Sequence, residues 1–336
     1  MAKTYTRQTA RLILALLCVA ASAELQAQHG PQTSAWSYFT PEDIHMPPKG
    51  DKVVTIVSPL PGNGDTPVPG VFFLPVGTPR GAVVIVNAPG GWTNAREGHF
   101  GRSLSSAGYI VLAIDSNGPR GAGNTLIDHT RMSFSAQLRD AYAARRHLLA
   151  NGIAADRIAI MGTSRGGTIA LMAADRTFLP EESERFALAI AVTPVCIFHP
   201  RTPKPTYEIF IGAGEKDEYA STQSCQDLAK AYATAGGVAK FKVYAGASNG
   251  FDGHPAMVRR IREPFAETFV DCKVVVEPDG LFAFDGRSFT DAQYIPMLQE
   301  MRKTCMGKGG SAWTNLTQKA NVTLEIINFL DGSFRK

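Results

Sequence analysis

The stretch RIAIMGTSRGGTIALMAA, residues 157–174, decides the fold. Its first part, Ile158 to Met161, is a short apolar run of the buried-strand kind, and its alanine-rich last part suits a helix. Between them stands Gly162-Thr163-Ser164-Arg165-Gly166-Gly167, a G-x-S-x-G motif. A strand that turns directly into a helix at such a motif lifts one serine above the edge of a parallel sheet. The flanking glycines fit, because the turn strains the serine's backbone and leaves no space for side chains beside it. The helix that follows aims its unpaired N–H groups and positive dipole end at whatever reacts at Ser164. The motif recurs at Gly246-Ala247-Ser248-Asn249-Gly250, after the strand-like run Lys240 to Ala245. There Phe-Asp-Gly-His-Pro comes next and no helix starts cleanly, so Ser248 reads as a turn residue.

Outward from the elbow, strands alternate with helices. Lys52–Val57 and Val71–Leu74 read as edge strands, whereas Ala82–Asn87, Tyr109–Ile114, Ala187–Val192 and Tyr207–Ile211 are continuous apolar runs of the buried parallel type. Phe134, Leu138, Ala141, Tyr142 and Leu148 mark an amphipathic helix, Leu228–Ala235 belongs to another, and Leu316–Leu330 forms the last. This spacing predicts an α/β fold with a mostly parallel, doubly wound sheet and helices on both faces. Residues 255–311 break the rhythm: a hairpin, Lys273–Glu277 with Leu281–Phe284, then a helix, Ala292–Met301, suggest an insertion over the active-site face before the last helix.

The 336 residues carry a net charge of +4, of which Lys3, Arg7 and Arg11 supply three, so the remainder carries +1 and offers no basic field for nucleic acid or an anionic membrane. Those cations precede an apolar run, Leu12–Ala21, and the small residues Ala21-Ser22-Ala23, which together read as a cleaved signal peptide over residues 1–23, with cleavage after Ala27 as the alternative. About ten apolar residues are too few to span a bilayer. The chain is therefore expected to be secreted or periplasmic, with residues 24–336 as a single domain and no membrane association after cleavage. In such a compartment Cys196, Cys225, Cys272 and Cys305 are expected to pair locally, Cys196 with Cys225 and Cys272 with Cys305, free buried thiols being the alternative. No metal or cofactor is called for, since none of the cysteines has a zinc-like spacing.

A serine hydroxyl needs a base, and the base needs a carboxylate to orient it. In this arrangement the acid lies past a strand downstream of the elbow and the base past the last strand. Asp217 meets the first condition, with Glu215 and Glu218 beside it in the same loop; His254 is the one histidine downstream of Asp217. The amide of Arg165 and one from Ala88-Pro89-Gly90-Gly91-Trp92 would form the oxyanion hole; Pro89 has no N–H, which makes Gly90 the first choice and Ala88 the second. Arg120, in the loop after Ile114, would either anchor a substrate carboxylate or brace its own loop. Trp92 and Asn249 are weaker candidates for substrate contact, and the Arg165 side chain for attracting an acidic substrate.

The glycine loop after Asn87, DSNGPRG at Asp115, MGTSRGG, GEKD at Gly214 and YAGASNGFD at Tyr244 together resemble the dienelactone hydrolase-like family of α/β-hydrolases, from about Ala82 to Asp252 and again in the last helix. The resemblance implies an α/β-hydrolase fold and hydrolysis of a small-molecule carboxylic ester or lactone through an acyl-enzyme on Ser164. Two residues depart from the family's pattern: its namesakes carry cysteine where Ser164 stands, and its histidine, two residues before the phenylalanine of the last loop, is here Asn249. An amide does not titrate near neutral pH. Either His254 folds back to serve as base, or the triad is broken and the protein binds a ligand or partner without turnover; an acyltransferase using the same groups is the third reading.

Overall fold

The structure is a computed structural model that describes residues 52–60, 64–178, 184–205 and 208–334; the expected signal peptide lies outside them. An eight-stranded sheet runs through the molecule in the order β1-β2-β4-β3-β5-β6-β8-β9. Its members are β1 (Lys52–Leu60), β2 (Gly64–Phe73), β3 (Ala82–Val86), β4 (Ile110–Ile114), β5 (Ile158–Thr163), β6 (Leu188–Val192), β8 (Glu208–Gly214) and β9 (Val238–Tyr244). The first two strands are antiparallel to their neighbours and the other six are parallel to one another. Every residue of β3, β5 and β6 is buried, which explains why these strands read as unbroken apolar runs.

Side chains alternate between the two faces. Val83, Ile85, Met161 and Ile190 pack with α1 (Glu97–Ser106) and α6 (Leu316–Phe334), whereas Val84, Val86, Ile160 and Ala191 pack with α2 (Phe134–Ala150), α3 (Arg165–Ala173) and α4 (Thr222–Thr234). The helices thus cover both faces, as the alternation of elements predicts. Segment 255–311 is more elaborate than a hairpin and a helix. Its first strand, β10 (Ile261–Thr268), pairs antiparallel with β14 (Gly307–Ala312), and both stand beside the carboxyl ends of the central strands. The expected hairpin is β11 (Val274–Val276) and β12 (Phe282–Phe284); it extends through β13 (Arg287–Phe289) and pairs in parallel with β7 (Phe198–Pro200), followed by α5 (Tyr294–Thr304).

Two disulfides join Cys196 to Cys225 and Cys272 to Cys305, the local pairings expected, across 29 and 33 residues. Loop closure on that scale is worth about 3 to 4 kcal/mol per bridge in the chain-entropy account. Reduction should therefore lower the urea midpoint of unfolding by more than 1 M, with a steeper slope as the released unfolded chain expands. An unchanged midpoint under full reduction, checked by thiol counting, would contradict this.

Candidate active site

Ser164 sits between β5 and α3 with φ of 53°, one of three non-glycine residues among those described with positive φ. The close crossing of strand and helix imposes it. A Cβ on Gly162 would lie 2.3 Å from the carbonyl carbon of Gly166, and one on Gly166 would lie 2.3 Å from the oxygen of Val86. No residue but glycine fits either place, and the chain between them has to bulge outward at Ser164. The serine is 6% exposed and opens onto a small cavity. Leu126, Met257 and Ala312 give this cavity apolar walls, and Arg96, Tyr219, Asn249 and Glu263 supply its polar groups.

The loop after β3 is held rigidly. Glu97, raised by burial above the ordinary carboxylate range, accepts from the amides of Ala88 and Thr93. The Ala88 amide is thereby occupied, and Gly91 donates back to the Ala88 oxygen. Asn117 Nδ2 and both the amide and hydroxyl of Thr125 converge on the Pro89 oxygen. In a planar trans peptide the N–H points opposite to the C=O, so the Pro89–Gly90 unit turns the Gly90 amide away from these three donors.

Arg165 departs from expectation in its side chain. Its guanidinium is fully buried and points away from the cavity: it donates to Gln137 Oε1, His129 Nδ1 and the Met132 oxygen and lies 4.0 Å from the Phe134 ring. An acidic substrate cannot meet it there. Burial, with Arg165 adding to it, pushes His129 well below its ordinary value and keeps it neutral. Arg120 forks onto the buried Asp140 and the Ser116 oxygen, which is the bracing alternative. Trp92 is packed among Phe100, Leu104 and the sheet and does not line the cavity.

The acid and the base slot show the largest difference from a serine–histidine–aspartate relay. Asp217 Oδ1 accepts from the amides of Tyr219 and Ala220, and Oδ2 accepts from Asn249 Nδ2 at 2.8 Å. The second N–H of that amide donates to the Thr193 oxygen, and Thr193 Oγ1 returns a bond to the Asn249 backbone oxygen. Asn249 thus stands where an imidazole would stand, at 8% exposure, on the wall of the Ser164 cavity. His254 is not brought to it. Its Nδ1 accepts from the Ala256 amide in its own loop, its ring does not line the cavity, and Asp217 receives no bond from it.

The intervening loop is fastened from several sides, which explains why His254 stays away. Asp252, wholly buried, accepts from Arg96 Nε at 3.1 Å and from Thr163 Oγ1 at 2.6 Å. Lys319, which burial lowers to about 8, donates to the oxygens of Gly253 and Ala95. Breaking a buried ion pair by itself costs about 3 to 5 kcal/mol, so residue 254 cannot swing inward cheaply. Order along the chain selected His254, but these ties span up to 224 residues and leave no local signal.

Burial raises Asp217 to about 6, against the lowering effect of the Asn249 hydrogen bond. The folded state therefore keeps this proton where the unfolded chain has released it, and the group's contribution to stability declines as pH rises from about 4 to about 6. Replacing Asn249 by leucine removes a donor to the ionised form. The expected loss is about 1 to 3 kcal/mol near pH 8 and clearly less near pH 4.5, where the carboxyl already holds its proton. Urea unfolding at the two pH values measures it; equal losses at both would show that Asn249 does not stabilise the carboxylate.

Three solved structures of esterase 2 from the planctomycete Thermogutta terrifontis are similar: the native form at 19% identity and TM-score 0.47, covering 63% of this chain and 88% of that one, the butyrate-bound form at 19% and 0.46, covering 62% and 87%, and the form phosphoramylated by tabun at 18% and 0.45, covering 62% and 87%. No curated protein matches. The description "Dienelactone hydrolase family" matches residues 68–260, more than half of the chain and the whole span from β2 through Ser164, Asp217 and Asn249. With its sheet order and its serine elbow, the chain has the α/β-hydrolase fold and belongs to the dienelactone hydrolase family.

Proposed function

We propose that the protein is an exported serine hydrolase that is acylated on Ser164 by a small carboxylic ester or lactone. The observation that carries this reading is the strained backbone of Ser164, whose side chain opens onto a cavity with apolar walls and a few polar groups. The amides of Arg165, first in α3, and of Gly90, turned away from the donors on Pro89, hold the oxyanion, each worth about 3 kcal/mol in the transition state. Asp217 fixes Asn249 in place. Two disulfides and the signal-like N-terminus support export.

Asn249 accepts a hydrogen bond through Oδ1 but takes up no proton. Acylation, in which the Ser164 proton passes to a water molecule, is then confined to substrates whose leaving group departs as the anion, such as aryl esters or enol lactones, and release of the acyl group is slow. The same residue also favours a second reading: a protein that binds an ester or acid in the cavity without turnover.

A fluorophosphonate should add its mass to the wild type at Ser164 and leave Ser164→Ala unmodified. An unmodified wild type would support binding without chemistry. Asn249→His, which restores an imidazole beside Asp217, should raise aryl acetate turnover by about 10² to 10⁴. His254→Ala should change turnover less than about threefold; its abolition in a folded protein would make His254 the base and the fastened loop a resting state.

A further inference from the structure

The cavity holds a second carboxylate that the relay does not use. Glu263, on β10, is 4% exposed and lines the cavity together with Ser164 and Asn249. The Tyr219 hydroxyl donates to its Oε2 at 2.5 Å, while the Tyr219 amide holds Asp217. The ring that links these two acids lies against Gly310, the partner of Glu263 across the β10–β14 pair: a Cβ on Gly310 would come within 2.8 Å of it. Both strands lie past residue 260, where the family match ends. A segment outside that match therefore brings a buried, oriented acid to the cavity from which the usual base is missing. Asn249 does not titrate, and both oxygens of Asp217 are occupied behind it.

We infer that Glu263 is the general base of deacylation, a role that rests on acylation of Ser164 as proposed above. With the acyl group on Ser164 Oγ, Glu263 takes a proton from a water molecule as the water oxygen bonds to the acyl carbon. The bond from that carbon to Oγ then breaks, the proton passes from Glu263 to Oγ, and a carboxylic acid leaves. The carboxylate and the serine are both regenerated, and no further reactant is consumed. Glu263 is itself only 4% exposed, so the attacking water is one held at the carboxylate.

The test separates the two half-reactions with p-nitrophenyl acetate. Wild type should give a burst of about one nitrophenol per active site, followed by slow turnover. Glu263→Gln, which still accepts from Tyr219, should keep the burst and lose at least about 100-fold of the steady rate, within the range ascribed to a general base. Tyr219→Phe, which removes this one donor and keeps the acid, should lose less than about tenfold. Added formate should restore turnover to Glu263→Ala, which also covers the case in which the glutamine variant is misfolded. A wild-type steady rate in Glu263→Gln, equal losses in Glu263→Gln and Tyr219→Phe, or no response of Glu263→Ala to formate would overturn the role while leaving Ser164 acylation intact. A wild type with neither burst nor fluorophosphonate label would instead remove the acylation reading itself.

Discussion

Everything at the site depends on an absence of side chains where β5 crosses α3. Gly162 touches the backbone of Gly166, and Gly166 in turn lies against the oxygens of Val86 and Asn87 at the end of β3. One contact therefore sets two things, the outward bulge of Ser164 and the spacing between the helix end and the loop that carries Gly90. Gln137 closes the arrangement by donating to the Asn87 oxygen while accepting from Arg165, so the first residue of α3 and the start of that loop share a clamp. A methyl group at either glycine would force nucleophile and loop apart by more than the tolerance of a hydrogen bond.

Charge is buried around this crossing, and each case is compensated differently. Among the described residues Arg165 bonds no carboxylate; Gln137, His129, the Met132 oxygen, Tyr294 and the face of Phe134 replace its hydration. Asp252 has a cation and a hydroxyl, and it joins the end of β5 to the loop after β9. Asp217 has amide donors only. Burial raises its value, and the hydrogen bonds it accepts offset that only in part. An imidazole in place of Asn249 would supply the missing positive charge at the moment of proton transfer, and its absence leaves Asp217 as a holder of an amide.

The elbow was legible in the sequence because its cause is local: a buried strand, a glycine pair and a helix follow one another without a gap. The position of Asp217, just past the end of β8, was legible for the same reason. The local cysteine pairings and the alternating sheet were readable from spacing. His254 was chosen by order along the chain, and order does not encode reach; Thr163 and Asp252, 89 residues apart, decide where that loop lies. Glu263 left no signal, because Ile261–Thr268 contains a proline and mixed polarity and its partner Gly307–Ala312 is half glycine. Neither strand satisfies the period or composition by which strands are read. Arg120 had two readings of equal standing, and only the position of Asp140 on α2 separates them.

The two acids of the cavity illustrate how a site changes when one member of a relay becomes an amide. A carboxylate bonded through an imidazole acts on the serine at second hand and needs no access to solvent. One bonded through asparagine has no such route, since proton movement stops at the amide. Any base must then approach the reacting carbon from the open side of the cavity, where the oxyanion loop and the nucleophile helix do not already crowd it. Glu263 of β10 and Ala312 of β14 line that cavity with Ser164, and Tyr219 links the acid to the loop of Asp217. The fold therefore allows the base to change elements without moving the nucleophile, because the glycine crossing that positions Ser164 is independent of the segment that follows β9.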